Sequence, residues 1–264
     1  MAILNWLHHH SDLTILFLVL IVVVTVSAAA PHIGRHVFRL RENGDREEAA
    51  FDAYKALMSM AGVVLAFSLV QANSNLRETQ VHVTKLAAQI QAADRVLLRI
   101  NKPQFAALRP ALEAFGKSVI KDEWPRLEKG ERSEATDAAY KALSSGVRML
   151  GPEDARQQAM FNELLKVLDD MADTREEIVA NSDPNDFGLS PFFWTTILLL
   201  LGVSVILAGL TKTTVARTVG LGASSAAVAL MLGFLVIVDL PFQGETSVNP
   251  GSIAKALAID AKRN

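Results

Sequence analysis

Long apolar segments alternate along the chain with polar segments in which hydrophobic residues recur at helical spacing. Segments 13–30, 191–210 and 219–238 contain no charged residue. Each is about as long as a helix must be to cross roughly 30 Å of hydrocarbon. A fourth apolar segment, 57–72, is slightly shorter and is rich in small residues. We therefore predict four transmembrane helices, with a buried soluble helix as the alternative for segment 57–72.

The segment 49–100 organises the rest of the chain. Its first half is the second predicted span, and its polar second half keeps one apolar stripe at steps of three and four residues. The stripe consists of Leu76, Val83, Leu86, Ile90, Ala93 and Leu97. We predict one helix of roughly 75 Å at the standard rise per residue, which starts in the bilayer and continues into water. It ends where Asn101 and Lys102 precede Pro103.

The polar region between spans two and three has a helical pattern throughout. We predict helices over 104–121, from near Ser133 to before Gly151, and again after Pro152, with a loop at Trp124 and Pro125. The fold class is therefore all-α: a four-span integral membrane protein with an extramembrane helical bundle inserted between spans two and three. Its predicted parts are spans one and two (1–72), the bundle that continues the second helix (73–189), spans three and four (190–240), and a C-terminal motif with a short helix (241–264).

Composition narrows the possible functions. The 264 residues have a net charge of −2 and include no Cys, which gives no basis for nucleic-acid binding, disulfides or thiolate metal sites. Three consecutive histidines, His8 to His10, could bind a metal ion or form a solvated, pH-responsive cluster. On a helix they point in different directions, so we expect no metal site. No catalytic or phosphate-binding motif occurs, and we expect neither enzymatic activity nor a cofactor.

The end of the fourth span carries the residues that point to a family. The span ends in a stop motif made of an acidic residue, then Pro-Phe and Gly: Asp239, Pro241, Phe242 and Gly244. This stop, the order of the elements and the approach to the second span resemble the bestrophin-like family of bacterial membrane proteins, distant relatives of the bestrophin anion channels. Leu240 and Gln243 depart from the bestrophin motif. The acidic calcium-binding cluster that follows it in bestrophins is reduced here to Glu245, so we expect no calcium site.

The resemblance implies a homopentamer around an ion pathway lined by the second span. Channels can gate by a hydrophobic constriction that excludes water. In a pentamer, Val64 and Phe67 would form this constriction, and Gln71 and Ser74 would supply hydrogen bonds at its wet end. These residues belong to one face of the second span, with members at steps of three and four: Met60, Val64, Phe67, Gln71, Ser74 and Glu78. Alternatively, this face packs on span three or four.

These observations lead to two functional hypotheses. The first is a bestrophin-like oligomeric channel in a bacterial inner membrane that conducts an inorganic anion, with the lipid bilayer and further copies of the chain as its partners. The alternative is a non-conducting scaffold or sensor whose bundle binds a partner protein. The side of the bundle stays open: basic residues in the first and third loops favour the periplasm, and the resemblance implies the cytosol.

Overall fold

The computed structural model describes residues 11–38, 44–183 and 188–261. Within these ranges the protein is helical, which confirms the all-α prediction. A π-helical turn, Val119–Glu123, joins the fourth and fifth helices. The α-helices are α1 (Asp12–Phe38), α2 (Gly44–Ile100), α3 (Pro103–Ala106), α4 (Arg109–Ser118), α5 (Trp124–Leu127), α6 (Glu134–Arg148), α7 (Ala155–Ala180), α8 (Pro191–Gly209), α9 (Val215–Val238) and α10 (Gly251–Ala261).

Four of these helices, α1, α2, α8 and α9, are long and apolar enough to cross a membrane. The predicted long helix is confirmed: α2 runs without a break for 57 residues, or about 85 Å at the standard helical rise. It begins a few residues before the predicted start, with Asp45 and Glu47 in its first turn and Arg99 in its last. These charges complement the helix dipole. It ends at Asn101, whose φ of 52° terminates the helix.

Prolines lie within or at the start of two helices. α1 continues past the apolar segment 13–30 and contains Pro31, since a helix in lipid tolerates an interior proline when its surroundings satisfy the freed backbone groups. The loop predicted at Trp124 and Pro125 was wrong, since these residues form the first turn of α5. Proline is accepted there because the first turn does not need its missing N–H.

Residues Met1–Asn75 and Gly188–Ser247 form one compact unit, which we call the membrane unit. Its helices approach closely at glycines. A Cβ on Gly34 of α1 would lie 2.1 Å from the carbonyl oxygen of Gly209 in α8, and a Cβ on Gly233 of α9 would lie 2.8 Å from Leu16. Small residues allow such contacts between helices in lipid. Within one chain, this packing accounts for part of the small-residue content of the fourth span.

Residues Leu76–Phe187 and Val248–Asn264 form the second compact unit, which we call the helical bundle. The predicted stripe on α2 supplies its core, since Val83, Leu86, Ile90, Ala93 and Leu97 are all buried. Leu76 is only partly buried. The C-terminal helix α10 also belongs to this unit, and a Cβ on Gly116 of α4 would lie 2.7 Å from its Leu257.

The bundle core also contains a buried ion pair. The Arg175 guanidinium of α7 donates to both carboxylate oxygens of Glu123, at 2.5–3.0 Å, and its Nη1 donates to Asp137 at 2.6 Å. Arg175 and Glu123 are both buried. The π-helical turn ends at Glu123, and the carboxylate of this residue lies against Arg175 of α7. Such a pair is costly to disrupt, because either partner alone would be a buried charge.

Candidate functional site: the exposed face of the second span

One face of α2 is fixed to the rest of the membrane unit. Tyr54, Met58, Leu65 and Ala72 are buried in a cluster that also contains Leu221, Val228 and Leu235 of α9. The Tyr54 hydroxyl donates to the Leu221 carbonyl oxygen at 3.2 Å and lies 3.4 Å from Oγ of Ser224. A hydrogen bond is directional. Together with these apolar contacts, it holds the Tyr54 side of α2 against α9.

The opposite face of α2 is an exposed apolar stripe. The exposed fraction is 71% for Phe67, 69% for Val70, 59% for Met60 and 57% for Val63. These positions follow one another at steps of three and four residues, which places them on one side of a helix. Gln71 and Ser74 continue the stripe and are also exposed. Within the described part of a single chain, this face is therefore not packed on spans three or four.

The residues predicted to line a pathway are distributed unevenly over α2. Met60, Phe67, Gln71 and Ser74 lie on the exposed face, whereas Val64 is half-buried and packs against the core cluster. Val63 and Val70 occupy the exposed face and were missed. They lie three positions after Met60 and Phe67, so the helical period that selected the other residues could have found them.

The exposed face is electrically neutral along the span. Between Lys55 and Arg77 the sequence contains no Asp, Glu, Lys, Arg or His. At the end of the apolar stripe, the Gln71 side-chain amide donates to Asn75 at 2.8 Å, and Ser74 contributes a hydroxyl. Arg77 and Glu78 then follow as exposed charges. The face thus changes from hydrocarbon to amide and hydroxyl and then to charge within about two helical turns.

The predicted stop motif forms a clamp between the ends of two spans. The Asp239 carboxylate accepts a hydrogen bond from the backbone N–H of Leu189 at 2.8 Å and another from the indole Nε1 of Trp194 at 3.2 Å. Burial raises the pKa of Asp239, and these two donors partly offset the rise. Pro241 and Phe242 are buried, and Gly244 has a φ of 80°, which favours glycine.

The partners of Asp239 were not predicted. Phe192 and Phe193 at the start of α8 are exposed, as residues of an interfacial aromatic belt would be. Trp194 beside them is half-buried, and its indole N–H is bonded to Asp239. Just after the motif, the Thr246 hydroxyl contacts the Asp12 carboxylate at the start of α1. The motif therefore also joins the end of the fourth span to the beginning of the first.

No cluster in the described residues suggests a metal centre. Across residues 11–38, 44–183 and 188–261, no three His, Asp or Glu side chains come together in a way that could hold an ion. The predicted histidine cluster, His8 to His10, lies outside the described residues. The candidate site is the exposed apolar face of α2, and the Asp239 clamp joins the end of α9 to the start of α8.

Fold and site define the class of the protein: a multi-pass helical membrane protein in which the second span continues into a helical bundle. A family model described as the Bestrophin-like domain matches residues 14–253. Because this match covers most of the chain, the protein belongs to the Bestrophin-like family. The predicted family is thus confirmed.

A solved structure has the same fold. The chain aligns with a protein described as a membrane protein in its crystal structure, with a TM-score of 0.62 and 12% identity, over 93% of this chain and 96% of the other. At this identity the likeness concerns the fold alone. No curated protein sequence matches the chain.

Proposed function

We propose that the protein is an oligomeric ion channel that conducts inorganic anions, with a pore lined by the exposed face of α2 from each copy. The observation that carries the proposal is the outward stripe of Met60, Val63, Phe67 and Val70 on a helix whose other face is fixed by Tyr54. A chain with four candidate spans has too few helices to enclose a pore. Several copies must therefore surround it, and the relation to bestrophins favours a pentamer.

The chemistry of this face suits passage of an anion. A ring of Phe67 with its apolar neighbours would exclude water when narrow and admit it when wide, which is gating by dewetting. The Gln71 amide and the Ser74 hydroxyl can each donate hydrogen bonds to an anion at the wet end. No carboxylate between Lys55 and Arg77 opposes its entry. The proposal assigns the channel to the inner membrane of a bacterium.

Ion flux tests the proposal directly. We would measure chloride efflux from liposomes containing the wild type, Phe67→Ala or Phe234→Ala. Phe234 is the matched control because it is also an exposed phenylalanine but lies on α9. We expect Phe67→Ala to raise the efflux by widening the constriction, and Phe234→Ala to leave it unchanged. The mass of the protein in detergent, measured in parallel, should correspond to an oligomer.

The contrary results are equally specific. A monomer in detergent, or no efflux from any variant under any ionic gradient, would reject the channel. An oligomer with a closed centre and no efflux would favour the alternative, a non-conducting scaffold or sensor whose bundle binds a partner. In that case Phe67→Ala should change only stability.

A further inference from the structure

A cavity opens inside the membrane unit, away from the exposed face of α2. It has a volume of about 250 Å³ and lies among α1, α2 and α8. Met58 is the residue from α2 that lines it, and the other walls come from 22–27 of α1 and 198–205 of α8. All three helices are candidate membrane spans, so the cavity lies among segments surrounded by lipid and not in the water-exposed bundle.

The absence of a side chain at Gly202 of α8 contributes to this space. A Cβ built on Gly202 would meet no other atom within 4 Å, and Gly202 is one of the lining residues. Two other glycines in this unit serve close packing, since a Cβ on Gly34 or Gly233 would collide with a neighbouring helix. Gly202 therefore does not bring two helices together. It leaves a space that a larger residue would occupy.

The lining selects an apolar ligand. No charged side chain lines the cavity, and valine and leucine form most of its walls. Of its two serines, Ser204 donates its hydroxyl to the Leu200 carbonyl oxygen of its own helix at 2.7 Å, and Ser27 is buried. A cavity of this character does not hold ordered water, which needs several polar partners. An empty one forfeits dispersion contacts along its walls.

The size and the rim indicate which apolar ligand fits. A volume of 250 Å³ is below the range of roughly 300–1,000 Å³ typical of pockets that enclose a whole small molecule. The rim residues Val22, Val26 and Leu198 are exposed, so the cavity is open on the outer side of the spans. An occupant can therefore insert one end while the rest of it stays in the surrounding hydrocarbon.

We propose that this cavity is a binding site for a single acyl chain of a bilayer lipid, held among α1, α2 and α8 and admitted by the missing side chain at Gly202. The site is separate from the exposed stripe of α2. Its occupancy does not depend on whether the protein conducts ions, so failure of this proposal and failure of the channel are distinguishable.

Photo-crosslinking tests the site. The full-length protein is reconstituted in phosphatidylcholine vesicles that contain a minor fraction of phosphatidylcholine with a diazirine in the middle of one acyl chain. After illumination, adducts are mapped by peptide mass spectrometry. We expect several-fold more adduct on the lining segments 22–27 and 198–205 of the wild type than on the exposed Ile206, which is not a lining residue. Gly202→Leu should lose this excess because its side chain fills the cavity.

The matched control is Gly62→Leu in α2. It makes the same change at a glycine whose Cβ also meets nothing within 4 Å but which does not line the cavity, and it should keep the excess. If Gly202→Leu does not fold, Gly202→Ala should reduce the excess in part, and the comparison within the wild type still applies. Equal adduct yields along all exposed positions, or no adduct on the lining because another chain covers it, would overturn the proposal.

Discussion

The hydroxyl oxygen of Tyr54 in α2 lies 3.2 Å from the carbonyl oxygen of Leu221 in α9. Both residues are buried, and the Tyr54 ring stacks on Phe51 with 6.4 Å between the ring centroids. The bond and the buried apolar residues of α2 hold this side of the helix against α9. Phe67 lies on the other side of the same helix and faces outward.

Tyr54→Phe should therefore destabilise the membrane unit without removing the stacked ring. The variant loses one hydrogen bond in an apolar environment, and we expect the free energy of unfolding to fall by about 1 kcal/mol. The change is measured as a difference in melting temperature in detergent, with size-exclusion chromatography to monitor thermal unfolding. Ser59→Ala is the control, because the Ser59 hydroxyl donates only to the Lys55 carbonyl of its own helix. Equal melting temperatures for wild type and Tyr54→Phe would show that the bond does not hold α2.

Gly34→Ala should separate α1 from α8. The added Cβ would lie 2.1 Å from the Gly209 carbonyl oxygen, and backbone atoms cannot move aside as a flexible side chain can. Overpacking of this kind costs roughly 1–3 kcal/mol. Gly62→Ala has open space around its new methyl group, and we expect it to be neutral or slightly stabilising, since alanine favours a helix over glycine. If both variants melt alike, the close approach of the two glycines is wrong.

The Asp239 clamp predicts coupling between two residues far apart in sequence. Asp239→Ala removes the acceptor for the buried N–H of Leu189 as well as for Trp194, which should cost roughly 1–3 kcal/mol. Trp194→Phe removes one donor, so its effect should be smaller. The double variant should be less destabilised than the sum of the two, as measured by a thermal double-mutant cycle.

Asp52→Ala serves as the control for this cycle. Asp52 pairs at 2.7 Å with Lys55, and both side chains are exposed, so its loss should change stability by less than about 1 kcal/mol. Strict additivity of Asp239→Ala and Trp194→Phe would mean that these residues do not interact.

Arg175→Ala should be among the most damaging single changes in the helical bundle. It would leave the Glu123 carboxylate buried without its partner, and breaking a buried pair in this way costs roughly 3–5 kcal/mol. Arg132→Ala is the matched control: Arg132 bonds Asp137 and Glu176, but all three side chains are largely exposed. Loss of helical circular dichroism on heating measures both effects. Similar losses for the two variants would contradict the structural role of the buried pair.

Local sequence features were sufficient to predict the helices and several of their ends. Hydropathy located the spans, and Ser133 and Ser190 accept hydrogen bonds from the first turns of α6 and α8 as capping residues do. The prediction of a loop at Pro125 was wrong, because the effect of a proline on a helix depends on whether it lies in the first turn or in the interior. A π-helical turn directly before it provides that setting.

The candidate site was only partly predictable. The helical period shows which residues share one face of α2, but it does not show in which direction that face points. Periodicity grouped Met60, Phe67, Gln71 and Ser74 correctly on the exposed face but included Val64 in place of its neighbour Val63. The direction in which a face points depends on contacts between residues distant in sequence, such as the hydrogen bond from Tyr54 to Leu221, which lies 167 positions away. The partners of Asp239, 45 and 50 positions away, are equally absent from any local pattern.

Cysteine accessibility tests the central claim most directly, because the natural chain contains no Cys. Phe67→Cys and, as a control, Leu199→Cys on the exposed side of α8 are reconstituted in liposomes and treated with a negatively charged, membrane-impermeant methanethiosulfonate. If the outward face of α2 lines an anion pathway, the reagent modifies Phe67→Cys and reduces chloride efflux, while Leu199→Cys stays unmodified in lipid and its efflux is unchanged. An unreactive Phe67→Cys with undiminished efflux would contradict the account.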